Sequence, residues 1–188
     1  MTVAVQNPRL PLALAEASVA AKLAFIAVGT IALALSAWIK IPMVPVPMTM
    51  QTYVVLVIGA LCGWRLAAAT VGAYLAEGLV GLPVFAGWGA GPAYLLGPTG
   101  GYLAGFLVAA AAVGWLAERG GTRDLLRATL TLTLGHALIF AFGVTWLASS
   151  AGWSKAVALG FVPFIAATIL KTALAVVTVR AADRWPRS

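Results

Sequence analysis

The side chains able to do chemistry are few, and they lie inside or beside long apolar runs. Lys171 is the clearest, standing in Pro163-Phe-Ile-Ala-Ala-Thr-Ile-Leu-Lys171, well inside an apolar segment. A lysine near the centre of a bilayer costs roughly 2.5–3.5 kcal/mol on insertion scales, so it should face a cavity and have a partner. It suits an anion such as a substrate carboxylate; the plainer reading is a lysine that snorkels or pairs internally. Glu77 follows Tyr74 by three residues. It could accept from a ligand N–H or pair with a lysine, or stand solvated or protonated near an interface. His136 is the single histidine and is either a ligand contact or a structural residue between helices. Thr49 and Gln51 mark a helix start, where a threonine serves as a cap. Gln51 carries both donor and acceptor and could read an amide or ureido group. Phe85, Trp88, Tyr94 and Tyr102 surround a glycine-dense stretch. They are either aromatic walls of a site or belt residues at the interface, and the same alternatives hold for Trp146, the belt being favoured there.

These residues do not assemble an enzyme. One histidine and five acidic residues supply no nucleophile–base pair and no metal-ligand spacing, and there is one cysteine, Cys62. No metal or cofactor is expected. Gly97-Pro-Thr-Gly-Gly101 lacks the lysine of a phosphate loop, so this chain is not expected to hydrolyse ATP.

The elements around them are set by hydropathy. The hydrophobic fraction is 62%, the charged fraction 9% and the mean hydropathy +1.01, more apolar surface than a soluble domain of this length could hide. An all-α integral membrane protein follows, a single membrane domain over 1–188. Crossing the hydrocarbon takes about 20 apolar residues per helix. Six spans are predicted: 19–39, 49–63, 65–80, Thr99–Glu118, Leu125–Ala148 and Ala156–Ala182. Residues 1–18 read as a short cytoplasmic lead without a cleavable signal, carrying an interfacial helix near Leu10–Ser18, and 183–188 as a tail. Two stretches between spans, Pro42–Gln51 and Gly81–Pro98, are too rich in proline and glycine for regular helix. Broken backbone beside a bilayer is tolerated only where protein buries it or where it lines a cavity. The two stretches are therefore expected to cap a substrate pocket. Arg9, Lys22, Arg65, Arg119, Arg123, Arg127, Arg180, Arg184 and Arg187 fall on the side of the termini, against Lys40 and Lys155 on the other. The excess places both termini in the cytoplasm and accounts for the net charge of +7 without nucleic acid.

On the first span Ala20, Ala24, Val28, Ala32 and Ser36 recur every four residues, and Ala13, Ala17 and Ala21 continue a small line through the lead. A small face lets helices approach closely in lipid; it is either internal packing or a docking surface.

Three segments in order, Pro45-Val-Pro-Met-Thr-Met-Gln-Thr52, Gly78-Leu-Val-Gly-Leu-Pro-Val-Phe-Ala-Gly87 and Leu96-Gly-Pro-Thr-Gly-Gly-Tyr102, closely resemble the BioY family. These are the biotin-specific S components of energy-coupling factor (ECF) transporters. The resemblance implies a six-helix vitamin-binding subunit in a bacterial inner membrane, with a transmembrane coupling subunit and two cytoplasmic ABC-type ATPases as partners. It makes the Ala20–Ser36 line the candidate docking face. It also marks Lys171 as a substrate contact, the lysine of a Pro-Phe-Ile-x-x-Asp-x-x-Lys pattern whose aspartate is replaced here by Thr168. Gln51, Glu77 or His136 are candidates to supply the missing acceptor. The alternative function is a stand-alone proton-coupled carrier for a small carboxylate-bearing solute, using Glu77 or His136.

Overall fold

The computed structural model describes residues 17–184. The lead with Arg9, Ala13 and Glu16, and the tail with Arg187, lie outside them, as does the expected interfacial helix apart from Ala17 and Ser18. Ser18 caps α1 (Val19–Trp38), its Oγ accepting from the Ala21 N–H at 3.2 Å. A two-stranded antiparallel ribbon follows, β1 (Lys40–Ile41) against β2 (Met48–Thr49), with Lys40 opposite Thr49. The prolines occupy the connection between these strands, where no ladder donor is needed.

The second helix, α2, runs Gln51–Cys62, two residues later than the predicted start. Thr49 belongs to β2, and the Met50 N–H still bonds the Ile39 carbonyl at 3.1 Å, which prolongs the ribbon. Thr49 nevertheless does a cap's work, its Oγ1 accepting from the Gln51 N–H at 3.3 Å. Gly63 turns the chain into α3 (Trp64–Leu79) at φ +77. A side chain there would strike Glu118, whose Oε1 accepts from the Trp64 N–H at 3.1 Å.

Residues 80–99 form the long irregular loop, with a short helix α4 (Pro92–Leu95). The Gly91 N–H pins it to the Gly78 carbonyl at 2.7 Å. Phe85 is fully buried beneath it, edge-on to Tyr74 and stacked on Tyr94 at 5.0 Å between centroids. Helices α5 (Gly100–Glu118) and α6 (Leu125–Ala151) match the expected spans, α6 being three residues longer at its end. They pack closely because Gly105 has no side chain: a Cβ there would lie 3.0 Å from the Ile139 Cα. Helix α5 is the hub, packed on α2, α3 and α6.

The sixth span is not the single helix predicted over Ala156–Ala182. It is α7 (Trp153–Gly160), a 3-10 turn (Val162–Phe164) and α8 (Ile165–Arg184). Pro163 has no N–H for the Leu159 carbonyl, so the helix breaks one turn before it. The break frees the Gly160 carbonyl, which accepts from Tyr102 Oη at 2.8 Å.

Among the described residues, α1, α5, α6 and the broken α7–α8 segment are long and apolar enough to cross a membrane. Helices α2 and α3, with 12 and 16 residues, rise only about 18 and 24 Å. The bundle has two distinct ends. At one, Trp38 packs on Trp88 with the rings tilted and their centroids 4.3 Å apart, and Trp146 Nε1 donates to the Gly97 carbonyl at 3.0 Å, which gathers the ribbon and the long loop. At the other, Arg180 donates to the carbonyls of Arg123 and Thr122 at 2.6 and 3.2 Å, closing the α5–α6 turn against α8.

Candidate functional site

A cavity opens beneath the loops, with about 560 Å³ of non-atom space that is partly open to solvent. Five segments build it: the Val46–Pro47 arm and the start of α2, the Ala86–Tyr94 part of the long loop, α5, α6, and the 3-10 turn leading into α8. Phe164, Thr168 and Lys171 recur at i, i+4 and i+7, which brings all three to one helix face. Leu103, Phe106, Ile139, Phe140 and Phe164 make the apolar wall, tied together by edge-on contacts of Phe140 with Tyr102 and Phe164.

Of the residues predicted for the site, Thr49, Gln51, Tyr94, Thr168 and Lys171 line this cavity together. Tyr102 lines it as well, so it is a wall residue rather than part of a belt. Gln51 is held in a chain of bonds: its Nε2 donates to Tyr74 Oη at 2.6 Å, and Tyr74 donates on to the Val84 carbonyl at 3.0 Å. Thr49 Oγ1 donates to Gln51 Oε1 at 3.2 Å. The amide is thereby fixed in orientation while one donor proton and one acceptor lone pair remain for a ligand. Phe85 is not on the wall; it backs Tyr94 from behind. Glu77 and His136 do not line the cavity either. His136 is 2% exposed and set between helices, its Nδ1 within 3.3 Å of the Leu132 carbonyl and 3.1 Å of Thr172 Oγ1.

Lys171 dominates the electrostatics. It is 7% exposed, and its Nζ donates to the Thr49 carbonyl at 2.6 Å, which leaves two N–H donors. Among the described residues the ion pairs are Arg127–Asp124 and Arg180–Asp183, so no carboxylate neutralises it. A buried cation without a counter-ion is costly, and an electron-rich ligand group is the obvious remedy. Thr168, where the pattern has an aspartate, contributes a neutral hydroxyl to the same wall.

The reading of the sequence missed Thr52. Its Oγ1 is buried at the cavity and has no hydrogen-bond partner. The available signal was its place beside Gln51 in a polar Thr49–Thr52 cluster set in an apolar run. The apolar wall on α5 and α6 carried no signal, since its phenylalanines and leucines look like any others in a membrane helix.

Comparison with known proteins identifies the family and the fold. The probable biotin transporter BioY of Pyrococcus horikoshii is 39% identical over 141 residues, covering 75% of this chain and 83% of that protein. The biotin transporter BioY of Thermotoga maritima is 37% identical over 147 residues, covering 78% and 86%. The crystal structure of the S-component for biotin from an ECF-type ABC transporter superposes with a TM-score of 0.78 at 27% identity, covering 89% of this chain and 93% of the other. Residues 7–187 match the BioY family along almost the whole chain, and the protein belongs to that family.

Proposed function

We propose that this protein captures biotin as the substrate-binding S component of an ATP-driven ECF transporter. The observation that carries the reading is the cavity itself: a fixed amide and a buried lysine without a counter-ion, set in an aromatic and aliphatic wall. Biotin's ureido group needs acceptors for two N–H groups and a donor for its C=O, its ring and tail need apolar walls, and its carboxylate needs a cation. Gln51, Thr52, Thr168 and Lys171 offer that inventory. The relatives named as biotin transporters and the likeness to a biotin S-component support the same ligand.

In this reading the chain makes six spans, α2 and α3 being short ones that draw the bilayer in or leave their ends in the interface. The ribbon and long loop cap the pocket on the outer face. Lys22, Arg65, Arg119, Arg123, Arg127 and Arg180 belong to the opposite end, against Lys40 and Lys155 near the loops, so both termini are cytoplasmic. The chain is not an enzyme; ATP is hydrolysed by two cytoplasmic ATPases coupled through a transmembrane subunit. The test is a calorimetric titration of purified, ligand-stripped protein with biotin, in detergent and without ATP or partners. Stoichiometric tight binding is expected. A folded protein that does not bind biotin would overturn the ligand assignment and point to Thr168 as the residue that changed it.

A further inference from the structure

A second cleft lies at the far end of the bundle from the biotin cavity. It spans about 670 Å³ of non-atom space that is partly open to solvent, and is lined by Lys22 and Ile26 of α1, Cys62, Arg65, Leu66 and Ala69 of α2 and α3, and Glu118 of α5. Its charges are unequal in their commitments. Glu118 has one carboxylate oxygen occupied by the Trp64 N–H at 3.1 Å. Neither Lys22 nor Arg65 belongs to an ion pair among the described residues, and the Arg65 guanidinium lies over the Trp64 ring at 5.2 Å. The cleft therefore carries two cations against one carboxylate, a net charge of about +1 where helix ends meet the headgroup layer.

We propose that this cleft binds one anionic phospholipid, its phosphodiester between Lys22 and Arg65 and an acyl chain along Ile26 and Ala69. Charge complementarity selects the occupant: a phosphatidylglycerol headgroup brings the single negative charge that the cleft lacks, whereas phosphatidylcholine brings none. The apolar wall distinguishes a lipid from a free anion, which would leave half-buried Ile26 and exposed Ala69 uncovered. The inference needs only a chain that spans a bilayer, and it does not depend on biotin being the ligand at the other end.

The experiment places the full chain in nanodiscs of equimolar phosphatidylcholine and phosphatidylglycerol, transfers it to mild detergent, and counts retained lipids by native mass spectrometry. Phosphatidylglycerol should be retained roughly fivefold over phosphatidylcholine. The double substitution Lys22→Gln with Arg65→Gln should bring the ratio close to one with biotin affinity unchanged. Glu118→Gln keeps an acceptor for Trp64 and should raise the ratio, which tests the cleft even if the double variant does not fold. A wild-type ratio near one, or a ratio that Lys22 and Arg65 do not control, overturns the proposal. Displacement of the lipid by millimolar inorganic phosphate reassigns the cleft to a free anion. Loss of coupling-subunit binding with lipid retention intact makes it a protein-docking site instead; either result overturns the lipid assignment.

Discussion

At the scale of single residues, two side chains separate ligand binding from stability in opposite ways. Lys171 is buried, bonded once, and unpaired in charge. Lys171→Met keeps the aliphatic stem and removes the cation, so the protein should remain folded while biotin affinity falls by roughly 30-fold or more, the cost of removing one partner of a buried charged contact. Unchanged affinity in the titration would remove Lys171 from the site. Thr52 makes a sharper case. Its hydroxyl has no partner in the protein, and a buried polar group left unsatisfied costs about 1–3 kcal/mol. Thr52→Val should therefore raise the melting temperature of the ligand-free protein and at the same time weaken biotin binding roughly fivefold. A merely structural threonine would not move the two readouts apart.

At the scale of elements, close helix approach is the feature most open to test. Gly105→Leu must displace the α6 backbone at Ile139 and should cost about 1–3 kcal/mol, read as a lower midpoint in a detergent thermal scan. Gly72 sits within α3 with nothing near its missing Cβ; Gly72→Ala should instead stabilise by about 0.5–1 kcal/mol. Spans such as α1 and α5 were legible in the sequence because length and hydropathy decide them alone. The interruption at Gly63 was legible because glycine and two bulky polar-capable neighbours break an otherwise continuous run. The break before Pro163 was present in the residues but hidden by the apolar run on both sides of it. The delayed start of α2 was not legible at all: Thr49 can cap from within a strand as well as from a helix boundary, and only the Met50–Ile39 bond decides. The polar half of the site was legible for the same reason Lys171 was, since polar groups are conspicuous in an apolar chain. Glu77 and His136 drew attention on that ground too, yet they stand away from the cavity; residue type marks a polar group and does not aim it.

At the scale of the whole molecule, the proposed docking onto a coupling subunit needs an exposed face, and α1 offers one. Ala20, Ala24 and Val28 are exposed and Ala32 is half-buried, whereas Ser36 is buried with its hydroxyl on the Leu33 carbonyl at 2.8 Å. The small line is thus a surface for its first three turns and a packing seam at its last member, so a docking face on α1 ends at Ala32. Small side chains there allow a partner helix to come close, and a single large one would hold it off. Ala24→Trp should leave biotin affinity unchanged, because the cavity touches no residue of α1, and should abolish co-purification with the coupling subunit and ATP-dependent uptake. Leu130→Trp, on an exposed position of α6, is the control and should do neither. Normal assembly of Ala24→Trp would move the docking face elsewhere. Uptake that persisted without the ATPases and collapsed with an uncoupler would go further, since it would make the chain a proton-coupled carrier and leave the exposed small face of α1 without a function in transport.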